Sequence, residues 1–358
     1  MAISLYTSRL ILDVLGIDNY GIYNVVGGVL VLFSFLTSAL SSATRRFLNY
    51  WLGNNDSSRL KKTFSVCFTI HVGICILIVF LGETIGLWIV NCVLNIPSDR
   101  MVAANWVYQL SILSAIVGIL SVPYEAAIVA KEKLNIYAYI SIFEAILKLL
   151  LVFLLFHSPC DILIYYAILI FFVNNIVTFY KIWYCIRKFD FCRPKFIFEK
   201  SDTKEIGLFT GWSLFGQLAY IGSTTGVNMI INIFLGVAIN AAVGIANQVN
   251  GIIYNFVANF QTSFNPQLIQ TYSSRNIIEH GLLISRASRI SLYLLILVSV
   301  PVIFNVQFIL SLWLVEVPKY AAPFLIAILM ASILEAYGAP LWMSMQAVGK
   351  IRAYQITV

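Results

Sequence analysis

Charge is what this sequence lacks most. Only 11% of its 358 residues are Asp, Glu, Lys or Arg, less than half of the roughly 25% found in soluble domains. Residues that are apolar or aromatic make up 60%, and the mean hydropathy is +0.88. No water-soluble core could hide that much apolar surface, so the solvent is lipid. Most enzymes, nucleic-acid modules and secreted disulfide scaffolds are thereby excluded. Histidine is scarce, and His71, His157 and His280 stand far apart. With no cluster of His, Cys or Asp, no metal site is expected. The six cysteines form no CxxC pair. Only Cys92 and Cys160 would face an oxidising side; free thiols are the expected state, a bridge between these two the alternative. No Walker loop is present, so no ATP hydrolysis is expected and no cofactor is called for. The outer connections are short, 91–105 being the longest, which leaves no room for a catalytic domain outside the membrane.

What is present is a series of long apolar runs. A spanning helix needs about 20 mostly apolar residues. On that template nine complete spans are read: 21–44, 63–91, 106–130, 136–157, 162–183, 207–235, 241–264, 290–313 and 322–346. Residues 1–15 and 353–358 read as pieces of two more, so both ends are expected to be cut. No basic segment precedes the first apolar run, which argues against a signal peptide. The runs lack the period-2 alternation of a lipid-facing barrel. The expected fold class is an all-α polytopic membrane protein.

The basic residues orient it. Arg100 and Lys319 fall on outer connections and Arg9 and Lys148 inside spans, leaving 19 of the 23 Lys and Arg on the inner side. That bias fits the positive-inside rule, with the N-terminus cytoplasmic. The net charge of +7 is therefore a topology signal, and no nucleic-acid partner is expected.

The chain repeats itself. Gly21-Ile22-Tyr23-Asn24-Val25-Val26-Gly27-Gly28 and Gly244-Ile245-Ala246-Asn247-Gln248-Val249-Asn250-Gly251 share the pattern G-I-x-N-x-V-x-G at an offset of 223. Pro123, Ala130, Lys133 and Tyr137 recur as Pro340, Ala347, Lys350 and Tyr354 at an offset of 217. Together they shift the pattern by six helices, an even number, so both halves share one orientation. Parallel repeats of this kind are a transporter architecture. The expected organisation is a first lobe at 1–183, a basic cytoplasmic linker at 184–206, and a second, incomplete lobe at 207–358.

The segment Thr7-Ser8-Arg9-Leu10-Ile11-Leu12-Asp13-Val14-Leu15-Gly16, followed by Asp18-Asn19-Tyr20-Gly21-Ile22-Tyr23, resembles the first-helix and loop signature of Wzx-type oligosaccharide flippases. These belong to the multidrug/oligosaccharidyl-lipid/polysaccharide exporter (MOP) superfamily, alongside the MATE extruders. The Pro123 helix ending in Ala130-Lys131-Glu132-Lys133, echoed from Pro340 to Lys350, is similar to that family's fourth and tenth helices. The resemblance covers the whole chain. It implies two pseudo-symmetric six-helix lobes around a central cavity in a bacterial inner (plasma) membrane. It further implies that a polyprenyl-diphosphate-linked oligosaccharide is carried to the outer leaflet for O-antigen or capsule assembly. The implied partners are that lipid-linked oligosaccharide, membrane lipids and other polysaccharide assembly proteins. A MATE-like small-molecule extruder is the alternative. A third reading is a membrane enzyme of polysaccharide assembly, a polymerase or acyltransferase. A polymerase would show a long outer loop and an acyltransferase a membrane histidine with polar neighbours, and neither stands out.

Ionisable groups inside lipid are costly, so each is a site candidate. Arg9 and Asp13 stand four apart, as do Glu144 and Lys148, close enough to neutralise one another on one helix face. Arg9 and Lys148 are candidate contacts for the diphosphate, with Asp13 and Glu144 as structural partners; self-pairing alone is the other reading. Arg45 and Arg46 close the second span and could receive a headgroup, or only obey the positive-inside rule. Glu83, Glu125 and Glu335 are lone acids and candidate coupling carboxylates for a proton or sodium gradient. Gln248, Asn255 and Asn259 share one helical face. Lipid would penalise that stripe, so it is expected to face protein or a wet cavity, bonding sugar hydroxyls or neighbouring helices.

Overall fold

The computed structural model describes residues 10–11, 14–16, 19–23, 25–27, 34–94, 96–156, 158, 161–195, 199–314, 317–349 and 351–357. The helices are α1 (Ser34–Gly53), α2 (Ser57–Leu81), α3 (Met101–Ala130), α4 (Leu134–Leu155), α5 (Ile162–Lys188), α6 (Lys200–Leu235), α7 (Val237–Ser273), α8 (Ile277–Phe304), α9 (Val306–Trp313), α10 (Ala321–Val348) and α11 (Arg352–Thr357). No strand occurs among the described residues. Seven stretches there are long and apolar enough to cross a membrane: Ser57–Val93, Ser98–Ala130, Leu134–Leu155, Ile162–Lys188, Ser201–Leu235, Ile277–Phe304 and Ala321–Val348.

Three expected spans differ in instructive ways. The run 241–264 lies within α7, a helix of 37 residues, but its amides keep it out of the seven apolar stretches. The run 290–313 is broken at Asn305, whose side-chain amide donates to the Pro301 carbonyl at 3.0 Å. Pro301 itself can donate no backbone hydrogen bond, and the chain restarts as α9. The run 63–91 continues past α2 as two π-helical turns, Gly82–Gly86 and Ile89–Val93. Their cause is a close approach by α3. Tyr108, fully buried, donates its hydroxyl to the Gly82 carbonyl at 2.8 Å. A Cβ added to Gly86 would lie 1.8 Å from that hydroxyl oxygen.

The chain forms two compact units. The first comprises 1–48 and 57–210, the second 49–56 and 211–358. Of the segment 184–206, α5 runs on to Lys188 and α6 begins at Lys200. Between them Phe191 and Cys192 are buried in the first unit, Phe191 lying 5.9 Å from the Phe64 ring. Burial, and then contact with Cys185, pushes the Cys192 thiol up.

In the first unit α3 packs on α2 and α5, and α4 packs on α5. Its end at the start of α3 is held by Arg100. One guanidinium nitrogen pairs with Asp161 and the other donates to Asn19 Oδ1 at 2.8 Å. Asp161 also caps α5, accepting from the Leu163 and Ile164 N–H groups at 3.0 and 3.4 Å. Burial pushes its carboxyl up, but Arg100 and the two N–H groups outweigh that and hold it below the ordinary value. In the second unit α10 packs on α7 and α8. Lipid provides no hydrophobic drive between helices, so close approach by small residues matters most. Ala242, Ala246, Ala321, Ala322 and Ala336 accordingly form much of that core.

Left-handed residues mark the repeat. Glu132 after α3 (φ 55°) and Gly349 after α10 (φ 81°) fall at the 217 offset. Gly16 and Gly236, and Asn55 and Arg275, are each separated by 220. That is three residues short of the 223 read from the glycine motif, or just under one helical turn.

Candidate functional site

Within the first unit α1, α3, α4 and α5 line an open cavity of about 440 Å³. Pro123 lies within α3, one to two turns before its C-terminal end, and Glu125, two residues on, lines the cavity. Arg45 of α1 reaches one carboxylate oxygen at 3.8 Å, and Lys181 of α5 reaches the other at 3.3 Å. Three helices thus converge on one carboxylate. Glu144 of α4 also lines the cavity and takes Lys148 at 2.6 Å, one turn along the same helix.

The neutral wall has a consistent chemistry. Ser114 donates its hydroxyl to the Leu110 carbonyl at 2.9 Å, and Ser121 to Gly118 at 2.7 Å. The Asn175 amide donates to Phe171 at 2.8 Å. Each spends a donor on its own helix and keeps oxygen lone pairs for the cavity. Thr37, Ser41, Asn174 and Thr178 complete the polar lining. Glu125, Glu144 and Lys181 are the ionic groups of the lining, and Arg45 and Lys148 reach its carboxylates from beside it.

Arg45, Glu125, Glu144 and Lys148 are therefore brought together around one cavity, while other candidates lie elsewhere. Arg46 is buried over the rings of Phe47 and Phe209, at 4.2 and 5.3 Å, with Glu205 3.8 Å away. Glu83 is exposed in the first π turn and accepts from Gln109 at 3.2 Å. Glu335 is exposed on α10. Arg9 and Asp13 lie outside the described residues, as does Cys160. In the second unit Gln248, Asn255 and Asn259 are all exposed on α7, whereas Ala246, Ile253 and Val257 are buried in its core. The amide stripe thus occupies the face that the unit does not pack.

Sequence reasoning missed Lys181, Asn174 and Asn175. Lys181 was counted among the inner basic residues although it falls within the run 162–183. That position inside an apolar span was the signal that set it apart. The asparagines carried no comparable mark, because one or two amides in a span are as readily structural.

No family model matches the sequence, and no curated protein matches it. Solved structures do. A MATE transporter in its straight conformation superimposes with a TM-score of 0.83 at 12% identity, covering 99% of this chain and 81% of that one. A MOP superfamily transporter from Pyrococcus furiosus, described as having a binding pocket of reversed polarity, gives 0.79 at 13% identity, with 99% and 81% covered. A Vibrio cholerae MATE transporter in its bent form gives 0.77 at 14%, with 100% and 87% covered. The chain has the two-lobe, all-helical fold of the MATE transporters of the MOP superfamily.

Proposed function

We propose that this protein is an exporter that moves a polyprenyl-diphosphate-linked oligosaccharide across the bacterial inner membrane by alternating access. The observation that carries the reading is the unpacked amide face of α7. Amides left facing hydrocarbon cost several kcal/mol each by rough transfer measures, so Gln248, Asn255 and Asn259 require a wet path. Their donors and acceptors suit sugar hydroxyls. Arg45 and Lys181, brought together at Glu125, offer an anionic substrate two cations from different helices.

Glu125 is the coupling carboxylate in this reading. Unlike Glu83 and Glu335, it stands between two cations from different helices. An anionic group arriving at Arg45 and Lys181 competes with Glu125 for both, and proton uptake at Glu125 would release both. Either event ties α1 and α5 to the charge state of α3. A proton gradient is the driving force this arrangement suits.

The test is deletion of the gene in its own organism, with extraction of lipid-linked oligosaccharides. Accumulated repeat units and lost surface glycan, restored by the wild-type gene but not by Glu125→Gln, are the expected result. Unchanged glycan with increased sensitivity to cationic drugs would overturn it in favour of a MATE-like extruder.

A further inference from the structure

The end of α5 carries two cations that no carboxylate answers. Arg187 and Lys188 occupy its last turn and are exposed. Neither enters a salt bridge among the described residues. Arg187 is nevertheless held in place, its guanidinium 4.9 Å above the ring of Trp183. Trp183 is half exposed and stacks on Tyr180, with centroids 5.9 Å apart and planes at 30°. Tyr180 in turn meets Phe143 of α4 at 6.5 Å, so the stack bridges two neighbouring helices. Deeper along the same pair, Phe179 on α5 and Ile146 and Leu150 on α4 are exposed and apolar.

We propose that this α4–α5 groove is a binding site for an anionic phospholipid. An aromatic pair topped by a cation is the pattern of a membrane–water interface. A guanidinium laid flat on an indole keeps its N–H edge free, and that edge matches two phosphate oxygens at once. The apolar groove beneath takes an acyl chain. Net charge selects the headgroup. Two adjacent cations favour a lipid with uncompensated negative charge, and Lys188 repels the amine of a zwitterionic one. Basic pockets between transmembrane helices bind anionic headgroups on the same principle.

The experiment is native mass spectrometry of the full chain, delipidated and titrated with phosphatidylglycerol or phosphatidylcholine of matched chain length. Phosphatidylglycerol adducts are expected to dominate. Arg187→Gln with Lys188→Gln should weaken them by roughly fivefold per cation removed. The charge-keeping exchange Arg187→Lys with Lys188→Arg should retain the preference for the anionic lipid, and it controls for folding together with monodisperse elution. Equal binding of both lipids, or adducts unchanged in the Gln variant, overturns the site. Displacement of the lipid by millimolar glycerol phosphate alone would also overturn it, by showing a site for soluble anions.

Discussion

The two units repeat one fold but hold it together by different chemistry. The salt bridges described above all join residues of the first unit. No salt bridge joins two residues of the second unit among the described residues, and its helices are tied mainly by neutral groups. Gln261 donates to the Ala336 carbonyl at 3.2 Å. His280 bridges Thr271 and Ser344 at 3.2 and 2.8 Å. The 217 offset, anchored by the left-handed pair Glu132 and Gly349, sets Trp342 opposite Glu125. The position that gathers two cations in one unit carries an indole in the other, 6.1 Å from the Tyr354 ring. The salt bridges stand in one of the two units.

The sharpest test of this contrast sets Glu125→Gln against Trp342→Phe. Export is expected to fall roughly tenfold or more in the first, equivalent to about 1.4 kcal/mol of lost interaction. It should stay within about twofold in the second, because an aromatic replaces an aromatic. Equal losses would erase the distinction between the lobes. Next in size is Gly86→Ala. The new methyl meets the fully buried Tyr108, and overpacking of this kind costs about 1–3 kcal/mol. Thermal unfolding in detergent should show the loss, partly recovered by adding Tyr108→Phe. Gly244→Ala in the second unit, with nothing within 4 Å of the new atom, should be neutral or stabilising by up to about 1 kcal/mol.

A pH effect is expected at Asp161. Its folded carboxyl lies below the ordinary 3.8, so its contribution is complete above that value and disappears as acidification protonates the folded form. Unfolding midpoints should therefore fall below about pH 4, and Asp161→Asn should flatten that part of the profile. Loss of its cap by Asp161→Ala should cost about 0.5–2 kcal/mol. The smallest effect has the opposite sign. Ser299 is fully buried and its hydroxyl has no partner among the described residues. Ser299→Ala should leave stability unchanged or raise it by up to about 1 kcal/mol.

Much of the architecture was legible in the sequence, because lipid forces every span into an apolar run of predictable length. Pro123 and Pro340, read as repeat markers, each lie inside a long helix, α3 and α10. The breaks were harder. Gly82 and Gly86 in 63–91 allow a neighbouring helix to approach closely, but the π turns themselves depend on Tyr108, twenty-two residues beyond Gly86. The cavity was half legible. Arg45, Glu125, Glu144 and Lys148 were marked as ionisable groups at or within apolar runs, but their convergence depends on helix packing. Arg100 was read only as an outer basic residue. Its hold on Asn19, a residue of the flippase-like signature, requires neighbours 81 positions apart.

The paired π turns beyond α2 have a consequence for how this chain tolerates change. Each closes its ring over five residues, as from Leu87 N–H to the Gly82 carbonyl and from Leu94 N–H to Ile89 at 2.9 Å. Each therefore stores one residue more than the α-helical turn it replaces. A one-residue deletion there would convert a π turn to an α turn, leaving the helix continuous. The same deletion in mid-α3 would rotate every later side chain by about 100°. Such stored slack is how a gene can gain or lose a codon inside a membrane span without losing the protein.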